Sequence, residues 1–195
     1  MVMYLTIIII ANILVIGANL LFGLEYFGYS PLFVIIATIV TTIFQFAIDG
    51  LFAIIVNKMP NKYFTVDNKN FAVSKKTQIL YEKLGIKKWK DKVWELGGLG
   101  GFRKNKLSDP NNPAYLEKFI IESHKGIITH RIGYFAGFLG IFLIPLKYAI
   151  VIGLPIAMVN LFLNILPTMI LKYNLPKLQT AYKWKLRQQN NQKTT

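Results

Sequence analysis

From Val2 to Leu24 the chain carries no charged side chain. A helix of that length, at about 1.5 Å per residue, reaches roughly 34 Å, more than the hydrocarbon core of a bilayer at about 30 Å. A cleavable signal sequence needs a basic start and a short apolar run before small residues, and this segment has neither, so it reads as an uncleaved anchor. A second apolar run, Pro31 to Val56, opens on a proline suited to a first helical turn and stays uncharged until Asp49. Residues 132–171 form a third apolar block, interrupted by Pro145, Lys147 and Tyr148. Such a break predicts the turn of a helical hairpin. Its first arm is short on its own, but a helix beginning at Asn112-Pro113 would run into it unbroken.

The charges are segregated from these runs. Of 23 Lys plus Arg, 16 fall in residues 57–131 and 6 in the tail from Lys172, with Lys147 alone elsewhere, against 9 Asp plus Glu in all. Basic loops stay on the cytoplasmic side. Four passes with both termini and the central segment inside the cell satisfy the count and leave only Lys147 outside. The expected fold is therefore an all-α integral membrane protein with about four transmembrane helices and a basic, partly helical cytoplasmic segment on the membrane surface. The organisation follows: residues 1–57 give two N-terminal spans, 58–131 a cytoplasmic interfacial segment, 132–171 a transmembrane hairpin and 172–195 a basic cytoplasmic tail. The chain has no cysteine, which excludes disulfides, thiolate metal sites and cysteine nucleophiles.

The central segment interleaves Tyr63, Phe64, Phe71, Tyr81, Trp89, Trp94, Phe102 and Tyr115 with lysines, too aromatic a composition for a disordered linker. Over Ser74 to Trp94, Ile79, Leu84, Ile86, Trp89 and Val93 recur at helical spacing among seven lysines. This predicts a basic amphipathic helix against anionic lipid, kinked at Gly85. Adhesion to lipid with no chemistry, or scaffolding of a neighbouring membrane complex, is one complete account of such a chain. Nucleic acid is not an expected partner, because no RNA- or DNA-binding module accompanies the basic segment.

The two histidines, His124 and His130, lie where the basic segment passes into the third apolar block. Six residues apart, they fall on different flanks of a helix, which does not make the i, i+4 pair of a metal site, and no metal is expected. Glu122 and His130, eight apart, stand about 12 Å apart along a helix and about 80° round, on one side without touching. Each has an ordinary reading: His130 as an interfacial side chain, Glu122 as a solvated residue or a partner for Lys118. Yet ionisable residues in or beside a span are costly unless paired, which singles out Asp49, Glu122 and His130. Asn160 and Asn164 face the first arm of the hairpin, where they could hold helices together, orient His130 or polarise a carbonyl. The run Leu96 to Lys106 joins four glycines to Arg103, Lys104 and Lys106. It is either a hinge or a phosphate cradle, and it lacks the spacing of a P-loop.

Several words in fixed order then point to one family. Pro60-Asn-Lys-Tyr63-Phe64 follows the second span, Lys87-Lys88-Trp89-Lys90 lies in the central segment, and Glu122 precedes His130 by eight. Asn164 is followed by Tyr173-Asn174-Leu-Pro176-Lys177-Leu178. Together they resemble the glycosyl-4,4'-diaponeurosporenoate acyltransferases, the bacterial membrane enzymes that attach the fatty acyl chain in staphyloxanthin synthesis. Ile127 stands where that family's pattern leads one to expect a second acid, and the first span looks like an addition to it. The resemblance implies a membrane O-acyltransferase of glycolipid and carotenoid metabolism in a bacterial cell membrane. It would move a fatty acyl group from acyl-CoA or acyl-carrier protein to a lipid-linked hydroxyl, without a cofactor. His130, Glu122 and Asn164 would be catalytic, with His130 as base. Tyr173, Asn174, Lys87, Lys88, Trp89, Lys90, Arg103 and Lys104 would bind substrate, the cations by attracting the donor's phosphates.

Overall fold

The computed structural model of the chain describes residues 2–23, 28, 30–93 and 107–193. Among the described residues every regular element is helical. α1 spans Val2–Ala18 and ends in a π-helical turn, Asn19–Gly23; α2 spans Pro31–Lys58. Two short helices follow, α3 (Lys75–Lys83) and α4 (Ile86–Trp89), then α5 (Pro113–Ala136), α6 (Leu146–Tyr148) and α7 (Leu154–Lys193). Among the described residues four stretches are long and apolar enough to cross a bilayer: Tyr4–Gly23, Pro31–Lys58, Pro113–Leu143 and Leu146–Gln192. The chain is thus an all-α membrane protein, and it divides into two compact units, residues 1–55 with 129–166 and residues 56–128 with 167–195.

The first unit holds α1, most of α2 and the hairpin. After Ala136 the helix tightens into a 3-10 segment, Gly137–Leu143, and the chain reverses at Pro145, whose carbonyl accepts from the Tyr148 amide (2.8 Å). The arms run antiparallel. Asn164 meets the His130–Gly133 level, Asn160 meets Gly133 and Gly137, and Gly153 packs 3.2 Å from the Ile141 Cα, measured from an ideal Cβ. Val15, Val34, Ala37, Ile144, Tyr148, Ile152 and Ile156 form one packed cluster.

The outside of this unit is apolar where that of a water-soluble bundle would be polar, and polar side chains are buried within it. Phe135 and Phe142 are 76% and 83% exposed, and Ile9, Ile13, Ile36 and Ile43 also face outward, while Asn19, Thr38, Thr41, Gln45, Asn160 and Asn164 are buried. Lipid tails are as apolar as Leu or Ile, so there is no drive to hide such side chains. The polar groups have to turn inward to find partners.

The contacts of α1 follow from two prolines in α7. Pro155 and Pro167 lack an amide hydrogen, so neither can donate to the carbonyl four residues back. Those carbonyls belong to Val151 and Leu163. Asn19 Nδ2 donates to Val151 O (2.9 Å), and the Tyr4 hydroxyl donates to Leu163 O (3.1 Å). Asn12, between them, accepts from the Thr42 hydroxyl at 2.9 Å. The first span thus supplies donors at the depths where the last one is short of them.

The second unit has a core of its own, built on Phe64, Phe71, Ile86, Leu116, Ile120, Ile127 and Leu175. Asn112 caps α5 by accepting from the Ala114 and Tyr115 amides (3.0 and 3.4 Å), and Ser74 caps α3 through the Thr77 amide (3.1 Å). The single kinked helix expected over Ser74–Trp94 is instead two. Gly85 adopts φ +69°, a left-handed conformation that ends α3 and lets α4 leave in a new direction. The apolar positions divide accordingly. Ile86 and Val93 enter the core, whereas Ile79, Leu80 and Leu84 stay exposed beside Lys75, Lys76 and Lys83. Trp94 and the Leu96–Lys106 glycine run lie outside the described residues, as do Arg103 and Lys104.

Candidate functional site

Three helices of the first unit bring a polar chain together. α2 carries Thr38, Thr41, Gln45 and Asp49, spaced to fall on one face. The unit's part of α7 supplies Asn160 and Asn164, one turn apart, and α5 supplies His130. Asn164 is the centre. Its Nδ2 donates to Asp49 Oδ2 (2.9 Å) and to the Asn160 carbonyl (3.1 Å), and lies 3.4 Å from Asn160 Oδ1. Its Oδ1 lies 2.9 Å from His130 Nδ1. Asn160 donates in turn to the Gly133 carbonyl (3.3 Å), and Gln45 to that of Gly137 (2.9 Å).

This bonding fixes the chemistry of the imidazole. A carboxylate and a backbone carbonyl only accept, so the Asn164 edge facing them is its NH2, and the edge facing His130 is its carbonyl oxygen. That oxygen accepts, and His130 Nδ1 carries the hydrogen. In the neutral ring Nε2 then holds the lone pair, the form a general base requires.

The close fit depends on absent side chains. A Cβ on Gly133 would lie 2.6 Å from Asn164 Oδ1, and one on Gly137 would lie 2.6 Å from Asn160 Nδ2. Gly133, Gly137 and Gly140 are all buried on the same arm, and the third packs against Thr41 and Gln45. The spacing Gly133-x-x-x-Gly137 opposite Asn160-x-x-x-Asn164 is a sequence signal for this site that lies in neutral residues, apart from the ionisable ones. Asp49 is the other residue whose place the sequence left open. Its Oδ1 is buried with no hydrogen-bond partner.

The second unit holds the other expected residues. Tyr173 is buried, and its hydroxyl donates to Glu82 Oε1 (3.1 Å), which also pairs with Lys87 Nζ (2.8 Å); Lys177 Nζ stands 4.6 Å from the Tyr173 ring centre. Lys87 and the Tyr173 hydroxyl hold the Glu82 carboxyl below the usual carboxylate range, and Glu82 holds the Lys87 ammonium above its ordinary value. Lys88 is exposed, Trp89 Nε1 donates to Leu84 O (3.1 Å), Lys90 pairs with Asp91 (3.3 Å) and Asn174 is half-buried. Glu122 is half-buried and pairs with Lys125 at 3.8 Å, not with Lys118. His124 is a core residue. Its ring stacks on Phe71 (centroids 4.0 Å, planes 8° apart), Nδ1 donates to Phe64 O (2.9 Å), and Nε2 is buried without a partner. Ile127 is fully buried beside it in sequence, in a core that would penalise an unpaired acid there.

Residues 60–183 match the sequence model of glycosyl-4,4'-diaponeurosporenoate acyltransferase. The chain belongs to this acyltransferase family. With membership comes the family's class, acyl transfer in carotenoid glycolipid modification. The matched segment takes in His130, Asn160, Asn164 and Tyr173, while α1 and Asp49 fall outside it. Comparison with curated proteins and with solved structures gave no match.

Proposed function

We propose that this chain transfers a fatty acyl group from a thioester donor, acyl-CoA or acyl-carrier protein, to a hydroxyl of a membrane glycolipid or another lipid-linked acceptor. The observation that carries the proposal is the bonded pair of His130 and Asn164, which leaves the imidazole lone pair on Nε2. His130 Nε2 takes the acceptor's hydroxyl proton as that oxygen attacks the thioester carbonyl carbon. The tetrahedral adduct collapses to the ester, the C–S bond breaks, and the imidazolium returns the proton to the departing thiolate. Asn164 acts as the orienting group and not as an oxyanion donor, because its NH2 already serves Asp49 and the Asn160 carbonyl. Glu122 is assigned to the acceptor sugar, and Tyr173 and Asn174 to substrate binding.

Lys87, Lys88, Trp89 and Lys90 are assigned to the donor's phosphates, and so, from their charge alone, are Arg103 and Lys104. The ion pairs of Lys87 and Lys90 are solvent-exposed, so they exchange for phosphate at little cost. The exposed Ile79, Leu80 and Leu84 among lysines give α3 a face suited to anionic lipid. Basic segments on the cytoplasmic side of a bacterial cell membrane place both termini inside and Lys147 outside. A cysteine at position 147 that reacts with an impermeant reagent only after the membrane is opened would refute that orientation.

The deciding experiment is lipid mass spectrometry of cells with the chain, without it, and with His130→Ala shown to insert normally. A species heavier by one fatty acyl group that depends on His130 is expected, with the rate in purified protein lowered about 100- to 10,000-fold by the substitution. Full transfer by His130→Ala would rule out the base assignment.

A further inference from the structure

We infer that Asp49 is a positioning residue for acyl transfer: acting through Asn164, it locks the His130 tautomer and supplies the negative charge that balances the imidazolium. The inference rests on the proposed acyl transfer and extends it to a residue outside the family-matched segment.

The geometry is a three-member chain. Asp49 Oδ2 accepts from Asn164 Nδ2 at 2.9 Å, and Asn164 Oδ1 accepts from His130 Nδ1 at 2.9 Å. An amide has two edges of nearly equal shape, and reversing it would put NH2 toward His130 and favour the opposite tautomer, with the lone pair on Nδ1. The Asn160 carbonyl resists reversal from one side and Asp49 from the other. A charged acceptor makes the stronger hydrogen bond, so removing the carboxylate weakens the lock at its stronger point.

The charges around His130 support the second role. Asp49 is the acid of α2, and α1 and the unit's part of α7, residues 154–166, carry no charged side chain. On its own helix His130 is followed by Arg131, a cation that disfavours a second positive charge beside it. An imidazolium formed during the reaction therefore finds its compensating charge at Asp49, transmitted through one amide.

The test uses the full-length protein in lipid nanodiscs with 15N-labelled histidine. His124 and His130 are the only histidines, and His130→Gln assigns their signals. Above the imidazole titration the wild type is expected to show His130 protonated on Nδ1. In Asp49→Asn the same nitrogen should lose its exclusive proton, and the His130 titration should move to lower pH. Transfer assays with acyl-CoA run alongside. Asp49→Asn should lower kcat about tenfold with KM little changed, and move the acidic limb of the kcat profile in the same direction as the histidine titration. In an Asn164→Ala background, Asp49→Asn should add almost nothing, because the two act in series. Asp49→Glu, also acidic, should recover more activity than Asp49→Asn.

A wild-type His130 protonated on Nε2, or an unchanged tautomer and titration in Asp49→Asn, would overturn the inference whatever the acyl assay gives. A wild type with the expected histidine signals but no transfer from any thioester would overturn the proposed function instead.

Discussion

Gly133→Ala puts the site's packing to the test, since it adds one methyl group and removes no polar atom. The new Cβ would lie 2.6 Å from Asn164 Oδ1, 2.7 Å from Cγ and 2.9 Å from Nδ2. Ordinary contact begins near 3.4 Å, so Asn164 has to retreat by roughly 0.8 Å. Its amide cannot do so freely. It holds Asp49, the Asn160 carbonyl and His130 at 2.9 to 3.1 Å, and a retreat of that size taken up by one bond would stretch it to about 3.7 Å, beyond useful hydrogen-bonding distance. Overpacking costs about 1–3 kcal/mol and each weakened bond about 1 kcal/mol, while Ala regains about 1 kcal/mol over Gly in a helix. The net loss of stability is expected near 1–3 kcal/mol. Activity should fall much further, at least tenfold, because misplacing His130 by under 1 Å spoils the reacting geometry. The controls are Gly17→Ala and Gly50→Ala, where nothing lies within 4 Å of the added carbon; they should insert and transfer as wild type does. Thermal unfolding in detergent and single-turnover acyl transfer measure the two effects. Wild-type transfer by Gly133→Ala would show that Asn164 need not sit where it does, and the orienting role would fail.

Three further substitutions separate structure from chemistry. His124→Ala removes a fully buried ring stacked on Phe71 and should lower stability by about 2–4 kcal/mol. Its transfer rate per folded molecule should be near wild type, and a selective loss of rate would move the chemistry to the wrong histidine. Asn19→Leu leaves the Val151 carbonyl without its donor from α1 and should cost about 1 kcal/mol, read as a lower unfolding temperature; an unchanged temperature would mean that the bond has no role in holding α1. Glu82→Gln tests the charge that Glu82 presents to Lys87 and the Tyr173 hydroxyl. The Glu82 pKa is lowered in the folded state by Lys87 and Tyr173, so its contribution is present above the unfolded carboxylate pKa and lost as pH falls through the folded one. Unfolding temperatures of wild type and Glu82→Gln should therefore differ at neutral pH and converge as the pH falls through and below the ordinary carboxylate range.

Three of the four long helices were legible because charge exclusion over twenty or more residues has few explanations besides a bilayer; the third, whose uncharged part is short, was legible only by continuity with the helix start at Asn112-Pro113. Ser74 to Trp94 was only half legible. Helical spacing persists across Gly85, but periodicity does not register that one left-handed residue redirects the next turn, and so did not show Ile86 and Val93 leaving the lysine-rich face for the core. His130 and Asn164 stood out as polar residues bordering apolar runs, yet their contact depends on the hairpin register, which is set by Pro145 and by which glycines can admit an amide. The place of Asp49 was illegible for a related reason. Its partner is 115 residues away in the chain, and a single acid near the end of a span looks the same whether it is paired, snorkelling or catalytic. His124 and His130 are alike in sequence context, and only burial separates them: one ring is sealed in a core, the other half-buried and held by an amide.

The polar groups of the first unit are of two kinds, and the difference argues for chemistry at one of them. Tyr4 and Asn19 hold helices together. Each is neutral and donates to a carbonyl that a proline has deprived of its usual donor, so its presence is explained once that carbonyl is satisfied. Asn12 and Thr42 similarly bond to one another and to carbonyls of their own helices. The Asp49–Asn164–His130 chain does not fit that description. It places an acid and a base in apolar spans where a second Asn pair would hold the helices at lower cost, and it leaves one carboxylate oxygen buried without a partner. It also requires glycine where any small residue would serve a loose contact. Helix association alone selects for none of these three features. A base that has to present one particular nitrogen, and to accept and return a proton with little reorganisation, requires the first and the last of them.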